Sequence, residues 1–308
     1  MEKLFVLGHP VAHSKSPVMY NAVYQKLGLD WRYGFADCET EKSAREFLAK
    51  ADFLSINITT PWKPLAFEQA SVVTSSAALA QGANVLIKRE DGFVADNTDG
   101  IGCVSYLKRC GVEFAGAAVA VCGTGPAARA IMHACALAGA ASVALLGRNA
   151  AHAQDIVAEY RVRVANLTSG TQSVIDAIDP RYATASLADI AQACNVSGGN
   201  YAAGEAALRN ADVIIDATRL GMQPGDPAPF DTSLISAGQT VFDVVYAHGE
   251  TALVRGARAA GARVFDGEGM LVAQAVATVH DIACLLDLPV DVDSIDLFET
   301  MRKAAGFR

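Results

Sequence analysis

No Cys-x-x-Cys pair occurs in this 308-residue chain, and its seven cysteines are scattered at positions 38, 103, 110, 122, 135, 194 and 284. The odd count and wide spacing exclude a disulfide framework and a thiolate zinc site; the residues read as small buried hydrophobes of a reducing compartment. Charge is also scarce, at 19% of residues, and its balance is acidic, with a formal net charge of −8. That balance is poor footing for nucleic acid. With 10 prolines and 52% hydrophobic residues, disordered and low-complexity readings fall away. The opening MEKLFVLGHP lacks the long apolar core of a signal peptide, so a cytoplasmic location is expected. One stretch imitates a membrane span: the 18 uncharged residues between Arg129 and Arg148. It is alanine-rich, carries His133 and breaks at Gly139, so a buried helix followed by a buried strand is expected instead.

What is present suffices for about two domains. In the first half, LFVLG at 4–8 reads as a strand, Ser16 to Leu27 as a helix with Pro17 in its first turn, and FLSINIT at 53–59 as a strand. Alternating strands and helices imply a parallel sheet flanked by helices. A new unit starts near Gly116: AAVAVCGTG runs from a β-like segment into glycines, then comes the helical AARAIMHACALAG, the strand SVALLG at 142–147 and the helix AHAQDIVAEY. Between 161 and 209 the pattern blurs into polar turns, NLTSGTQS and NVSGGN, read as an elaboration of the second domain. Strands return at DVIIDAT (212–218), TVFDVVY (240–246) and GARVFDG (261–267). The closing MLVAQAVATVHDIACLLDL is a helix apolar around most of its circumference, as expected of one packed between other elements.

Gly123, Gly125 and Ala128 form G-x-G-x-x-A between a strand and a helix. The first glycine makes a tight turn, the second admits a pyrophosphate to the backbone, and the small third residue lets helix meet strand. Thr124, Pro126 and Ala127 complete the loop, and helix-end amides supply positive potential, although Pro126 removes one donor. A carboxylate about 20 residues on would hold a ribose diol, whereas an arginine would accept a 2′-phosphate. Here the second strand ends in Gly147-Arg148-Asn149, with His152 one turn later. NADP is therefore favoured; NAD is tolerated if Arg148 is only a solvated loop residue.

Three further motifs become interpretable together: His13-Ser14-Lys15-Ser16-Pro17, Asn57-Ile58-Thr59-Thr60-Pro61-Trp62-Lys63 and Asp96-Asn97-Thr98-Asp99-Gly100. With the glycine loop, Asp-Ala-Thr at 216–218 and Gly-Met-Leu-Val-Ala-Gln at 269–274, they resemble the shikimate dehydrogenase family, including its quinate/shikimate branch, over nearly the whole chain. The resemblance implies an α/β protein of two domains. An N-terminal α/β substrate domain with a mostly parallel sheet (1–100 plus 270–308) joins a Rossmann-like NADP-binding domain (101–269), with the active site in a cleft between them. It implies a small cyclic hydroxy-acid substrate, NADP-dependent interconversion of 3-dehydroshikimate and shikimate, and a monomer or homodimer with no nucleic acid, membrane or metal partner.

Residue by residue, the resemblance makes Lys63 and Asp99 the catalytic pair. Oxidising a secondary alcohol needs a group that takes the hydroxyl proton as hydride leaves, a role open to an enclosed lysine oriented by a carboxylate. Taken alone, two hydroxyls at a helix start read first as N-caps; the combined motif reverses this, since Ser14 and Ser16 fall where the family binds a carboxylate. Thr59, Asn84, Tyr246 and Gln274 fall where it lines the ring hydroxyls. Thr218, Val244, Gly267 and Met270 match positions along the cofactor, beside Arg148, Asn149 and His152. The chain departs from the pattern in places. Gly82-Ala83-Asn84-Val85 replaces Ala-Val-Asn-Thr, Tyr20-Asn21 replaces His-Asn, Asp216 replaces an asparagine, Glu268 replaces a leucine and Gly147-Arg148-Asn149 replaces Asn-Arg-Thr. These departures keep two alternatives open: an NAD-linked quinate or modified-shikimate dehydrogenase, and a non-catalytic NADP-binding regulator.

Overall fold

Two six-stranded sheets organise the chain. The computed structural model describes residues 1–50, 52–166 and 193–307, and its contacts divide into two units, each built on one sheet.

The first unit takes Met1–Gly102 and the segment from Val272 onward. Its strands and helices run β1 (Glu2–Gly8), α1 (Ser16–Lys26), β2 (Trp31–Asp37), α2 (Glu41–Lys50), β3 (Ser55–Ile58), α3 (Lys63–Glu68), β4 (Val72–Val73), α4 (Ser75–Ala80), β5 (Val85–Arg89) and β6 (Gly92–Asp96). The sheet order is β2-β1-β3-β5-β6-β4. β1 pairs in parallel with β2 and β3, and β4 with β6, while β5 runs antiparallel to β3 and β6. All four residues of β3 are buried, as expected of a central strand covered on both faces. Leu7, Leu48, Phe53, Ile56 and Leu86 form the core, onto which Phe93 stacks over Phe53 at 5.5 Å between ring centres.

The second unit comprises, with α5 (Asp99–Arg109) leading into it, β7 (Ala118–Cys122), α6 (Pro126–Leu137), β8 (Ser142–Gly147), α7 (Ala150–Asn166), β9 (Asn195–Asn200), α8 (Glu205–Asn210), β10 (Val213–Asp216), β11 (Thr240–Asp243), α9 (Ala252–Ala259) and β12 (Arg263–Phe265). Its sheet is parallel throughout, in the order β12-β11-β10-β7-β8-β9. This is the doubly wound arrangement, whose order reverses between β7 and β10. The chain ends with α10 (Gly267–Leu285) and α11 (Leu297–Ala305), and α11 packs on α1. The division between units falls inside α5 and α10, so each helix starts in one unit and ends in the other.

One expectation is overturned. NVSGGN is the edge strand β9, paired in parallel with β8. Its glycines explain why it looks like a turn: a Cβ at Gly198 would lie 2.4 Å from the Ala153 carbonyl oxygen of α7, so the missing side chain lets helix meet strand. Of 161–209, residues 161–166 close α7 and 195–209 carry β9 and most of α8, whereas 167–192, with all of NLTSGTQS but its first residue, lie outside the described residues. The span-like run 130–147 is α6 followed by β8, and among the described residues no helix is long and apolar enough to cross a membrane. All seven cysteines are free, with Cys38, Cys103, Cys122, Cys135 and Cys194 buried.

Gly102 on α5 meets Gln274 on α10 so closely that a Cβ would lie 2.6 Å from the Gln274 Cβ and 2.8 Å from its backbone nitrogen. Gly102→Ala is expected to destabilise the protein by about 1–3 kcal/mol through overpacking, despite alanine's better helix propensity. Urea unfolding measures this; an unchanged or raised midpoint would show that the contact relaxes freely.

Candidate active site

The ends of β3, β5 and β6 deliver polar side chains to one place in the first unit. Lys63 opens α3 and Asp99 opens α5. The Lys63 Nζ donates to Asp99 Oδ2 at 2.5 Å, with the side chains 17% and 8% exposed. Asp99 lies in the first turn of its helix, where the macrodipole favours negative charge. Its other oxygen accepts from Asn84 Nδ2 at 3.0 Å. That amide also faces Thr98 Oγ1 at 2.9 Å and Gln274 Oε1 at 3.2 Å, while Asn84 Oδ1 accepts from the Thr98 backbone N–H at 2.8 Å. Asn97 fixes the loop itself, accepting from the Asp99 N–H at 3.1 Å and donating to the Gly82 carbonyl at 2.8 Å.

A second cluster begins at Ser14 and Ser16. Ser14 Oγ donates to Ser16 Oγ at 3.1 Å and accepts from the Ser16 N–H at 3.2 Å. The N-cap position of α1 is Lys15, without a side-chain cap, and Ser14 Oγ instead takes the first amide of the helix, that of Ser16. Ser16 also reaches the Tyr33 hydroxyl, whose titration burial drives upward. Tyr33 donates to Asn57 Oδ1 at 2.8 Å, Asn57 Nδ2 donates to Thr278 Oγ1 at 3.3 Å, and Thr278 donates to the Gln274 carbonyl at 3.0 Å. The serine pair and the Lys63–Asp99 pair thus belong to one hydrogen-bonded system. Thr59 is half-buried, its methyl against Gly8.

In the second unit, Gly123 has φ +115°, and a Cβ there would meet the Ala217 carbonyl oxygen at 3.0 Å. Gly125 faces open space and caps α6 without a side-chain bond, leaving the first amides of the helix unspent. The Arg129 Nε donates to the Thr124 carbonyl at 3.1 Å and holds the turn. Thr124 packs its methyl on Gly147, with Pro126 and Ala127 following in the first turn of α6. Arg148, Asn149 and His152 are exposed at the start of α7, where Asn149 Oδ1 accepts from the His152 N–H at 3.2 Å. Thr218 donates its N–H to Asp216 Oδ1 at 2.9 Å. The Val244 carbonyl abuts Gly267, Met270 is buried, and burial pushes the Tyr246 phenol up.

Hydrogen bonds therefore join Lys63, Asp99, Asn84 and Gln274 directly, and Ser14 and Ser16 through intermediaries. Tyr246 stands in the other unit. Sequence reasoning missed Tyr33, Asn57, Thr98, Thr278 and Arg129 as site residues. Asn57 and Thr98 lay inside quoted motifs and were passed over; Tyr33 and Thr278 carried no local signal.

A glycine-turn doubly wound sheet, in one chain with a second α/β unit holding an enclosed lysine–carboxylate pair, defines the class of two-unit dinucleotide-binding oxidoreductases. Residues 6–86 match the family model for the shikimate dehydrogenase substrate binding domain. The chain is 35% identical over 298 residues, 95% of each protein, to the shikimate dehydrogenase (NADP(+)) of Methanothrix thermoacetophila. Shikimate 5-dehydrogenase of Thermus thermophilus, solved with NADP(H) and shikimate, is 25% identical with a TM-score of 0.74, covering 99% of this chain and 100% of that one. A 5-ketofructose reductase of Gluconobacter is also 25% identical, with a TM-score of 0.70 over 98% of each chain. The chain belongs to the shikimate dehydrogenase family.

Thr278 tests the buried system. Thr278→Val removes the acceptor of Asn57 Nδ2 and is expected to cost about 1–3 kcal/mol in urea unfolding, whereas Thr278→Ser keeps the hydroxyl and most of the stability. Equal losses in the two variants would assign the effect to the methyl group.

Proposed function

We propose that the protein is an NADP-dependent dehydrogenase that reversibly reduces 3-dehydroshikimate to shikimate, a step of the shikimate pathway leading to aromatic amino acids. The observation that carries this reading is the Lys63–Asp99 pair, enclosed and ringed by the neutral donors and acceptors a polyol needs. Its relatives named shikimate dehydrogenase (NADP(+)) support it. Residues 1–100 with 270–308 serve the substrate, and 101–269 the dinucleotide. Free thiols suit a cytoplasmic enzyme.

Ser14 and Ser16 hold the substrate carboxylate through their paired hydroxyls at the start of α1. Thr59, Asn84, Gln274 and Tyr246 take the ring hydroxyls. A buried donor left without its partner penalises analogues lacking a hydroxyl, so these residues discriminate as well as bind. The glycine turn fits a pyrophosphate, because Gly125 leaves its approach open and the α6 amides are unspent. Arg148, with Asn149 and His152, would face a 2′-phosphate, and Thr218, Val244, Gly267 and Met270 the remainder of the dinucleotide. When bound, NADPH supplies the hydride. As the ketone carbon gains it, the carbonyl oxygen becomes an alkoxide, and the Lys63 ammonium delivers the proton there. Asp99 orients the ammonium throughout; in the oxidative direction Lys63 takes the proton back.

One observation favours a different cyclic polyol, quinate or a modified shikimate, with NAD possible: buried Val85 stands where the family pattern has a hydroxyl. Turnover of shikimate and quinate with NADP⁺ and NAD⁺, followed by nicotinamide absorbance, decides between them. No absorbance change with any pair would sink the dehydrogenase reading. Lys63→Ala is expected to lower kcat by roughly 10²- to 10⁴-fold while leaving NADP⁺ affinity nearly intact; retained turnover removes Lys63 from the mechanism. Arg148→Ala is expected to weaken NADPH about tenfold or more and leave NADH unaffected; equal effects on both cofactors would place Arg148 away from the 2′-phosphate.

A further inference from the structure

Two buried carboxyls of the second unit have no part in the proton transfer above. Asp216 ends β10 and Asp243 ends β11, and the parallel strands place them opposite each other in register, so their side chains leave the same face of the sheet with Cα atoms about 5 Å apart. Asp216 is 1% exposed and Asp243 0%. Each carboxylate turns back on its own chain, Asp216 Oδ1 accepting from the Thr218 N–H and Asp243 Oδ1 from the Val245 N–H, both at 2.9 Å. On β7 the neighbour of Asp216 is Cys122, a thiol that burial pushes up. Tyr201, after β9, faces Cys122 and Asp216, with Arg148 within its electrostatic reach. Beside Asp243 lie the Thr251 hydroxyl, donating at 2.7 Å, and the carboxylate of Asp266.

Asp216 is also coupled to the glycine turn. The residue between Asp216 and Thr218 is Ala217, whose carbonyl oxygen is the atom against which Gly123 packs. Thr218 Oγ1 accepts from the Leu220 N–H at 3.1 Å and carries the same loop onward. A carboxyl therefore stands one residue behind the contact that shapes the turn, at a position where the family pattern has an amide. Desolvation, then the neighbouring Asp243, push the Asp216 carboxyl up to about 7 against its hydrogen bonds to Thr218.

We propose that Asp216 is a cofactor-affinity determinant: paired with Asp243 behind the glycine turn, it holds a proton when the dinucleotide is bound, so the anionic ligand enters together with a hydrogen ion. This rests on the reading that the glycine turn receives dinucleotide phosphates. Ionised, Asp216 adds a second buried negative charge near those phosphates; protonated, it is neutral, like the amide it replaces. An anion arriving nearby raises the carboxyl's hold on its proton. Affinity is therefore highest at pH values below the ionisation of Asp216 in the free protein and declines as pH rises through it, and by linkage binding in that range takes up protons from solvent.

Calorimetric titration of the full chain with NADP⁺ in two buffers of different ionisation enthalpy, between pH 6 and 8.5, reads both quantities. The cofactor's own 2′-phosphate titrates near the lower end of that range, so the isosteric Asp216→Asn variant is the reference. Relative to that variant, the unsubstituted protein is expected to lose roughly tenfold in affinity across the range and to show a proton uptake that the variant lacks. Coincident profiles for the two proteins would overturn the proposal while leaving the dinucleotide site standing. Failure of the unsubstituted protein to bind NADP⁺ or NAD⁺ would overturn the site and the proposal together. Should Asp216→Asn not fold, Asp243→Asn carries the test: removing the neighbouring charge must move the proton uptake to lower pH, and an unmoved profile refutes the pairing.

Discussion

An ammonium and a carboxylate 2.5 Å apart, both largely withdrawn from water, set the terms for the rest of the first unit. Taking two charges out of solvent costs several kcal/mol per ion unless geometry and further hydrogen bonds offset it. Asn84 satisfies the second Asp99 oxygen, the α5 terminus adds its dipole, and Asn97 pins the loop that carries the aspartate. Asn84 is held in turn by Thr98 and, through Gln274, by α10. Lys63 is thus one end of a polar core extending to Tyr33.

The legible part of this architecture was the part that repeats a local rule. The glycine turn between strand and helix, the strand SVALLG and the Pro17 helix follow from periodicity and special residues, and the structure returns them with small boundary shifts. β9 was illegible because a strand made of NVSGGN obeys no propensity; its glycines answer to the α7 backbone above it, a tertiary demand that composition hides. Lys63 and Asp99 could be named from their motifs, but their contact spans 36 residues, and no spacing rule reports it. Tyr33 and Thr278 were harder still: each looks like an ordinary strand or helix residue until Asn57 is found between them.

An acidic chain that handles anions must do so locally. Net charge −8 acts on encounter, while short-range donors decide binding. In the proposed reading, helix-end amides behind Gly125, the serine hydroxyls and single cations such as Arg148 and Lys63 supply attraction without a broad basic face. In the same reading the buried acids Asp216 and Asp243 oppose that attraction, and a proton on Asp216 limits the repulsion.

The return of α10 and α11 to the first unit has a consequence for how the chain comes into being. Synthesis releases residues 1–102 early, yet Gln274 and Thr278, which complete their polar core, and α11, which covers α1, emerge only after the whole intervening sheet. The first unit begun is the last finished, and closing it requires joining ends some 170 residues apart. The polar core around the lysine–aspartate pair is complete only when the C-terminal helices have docked.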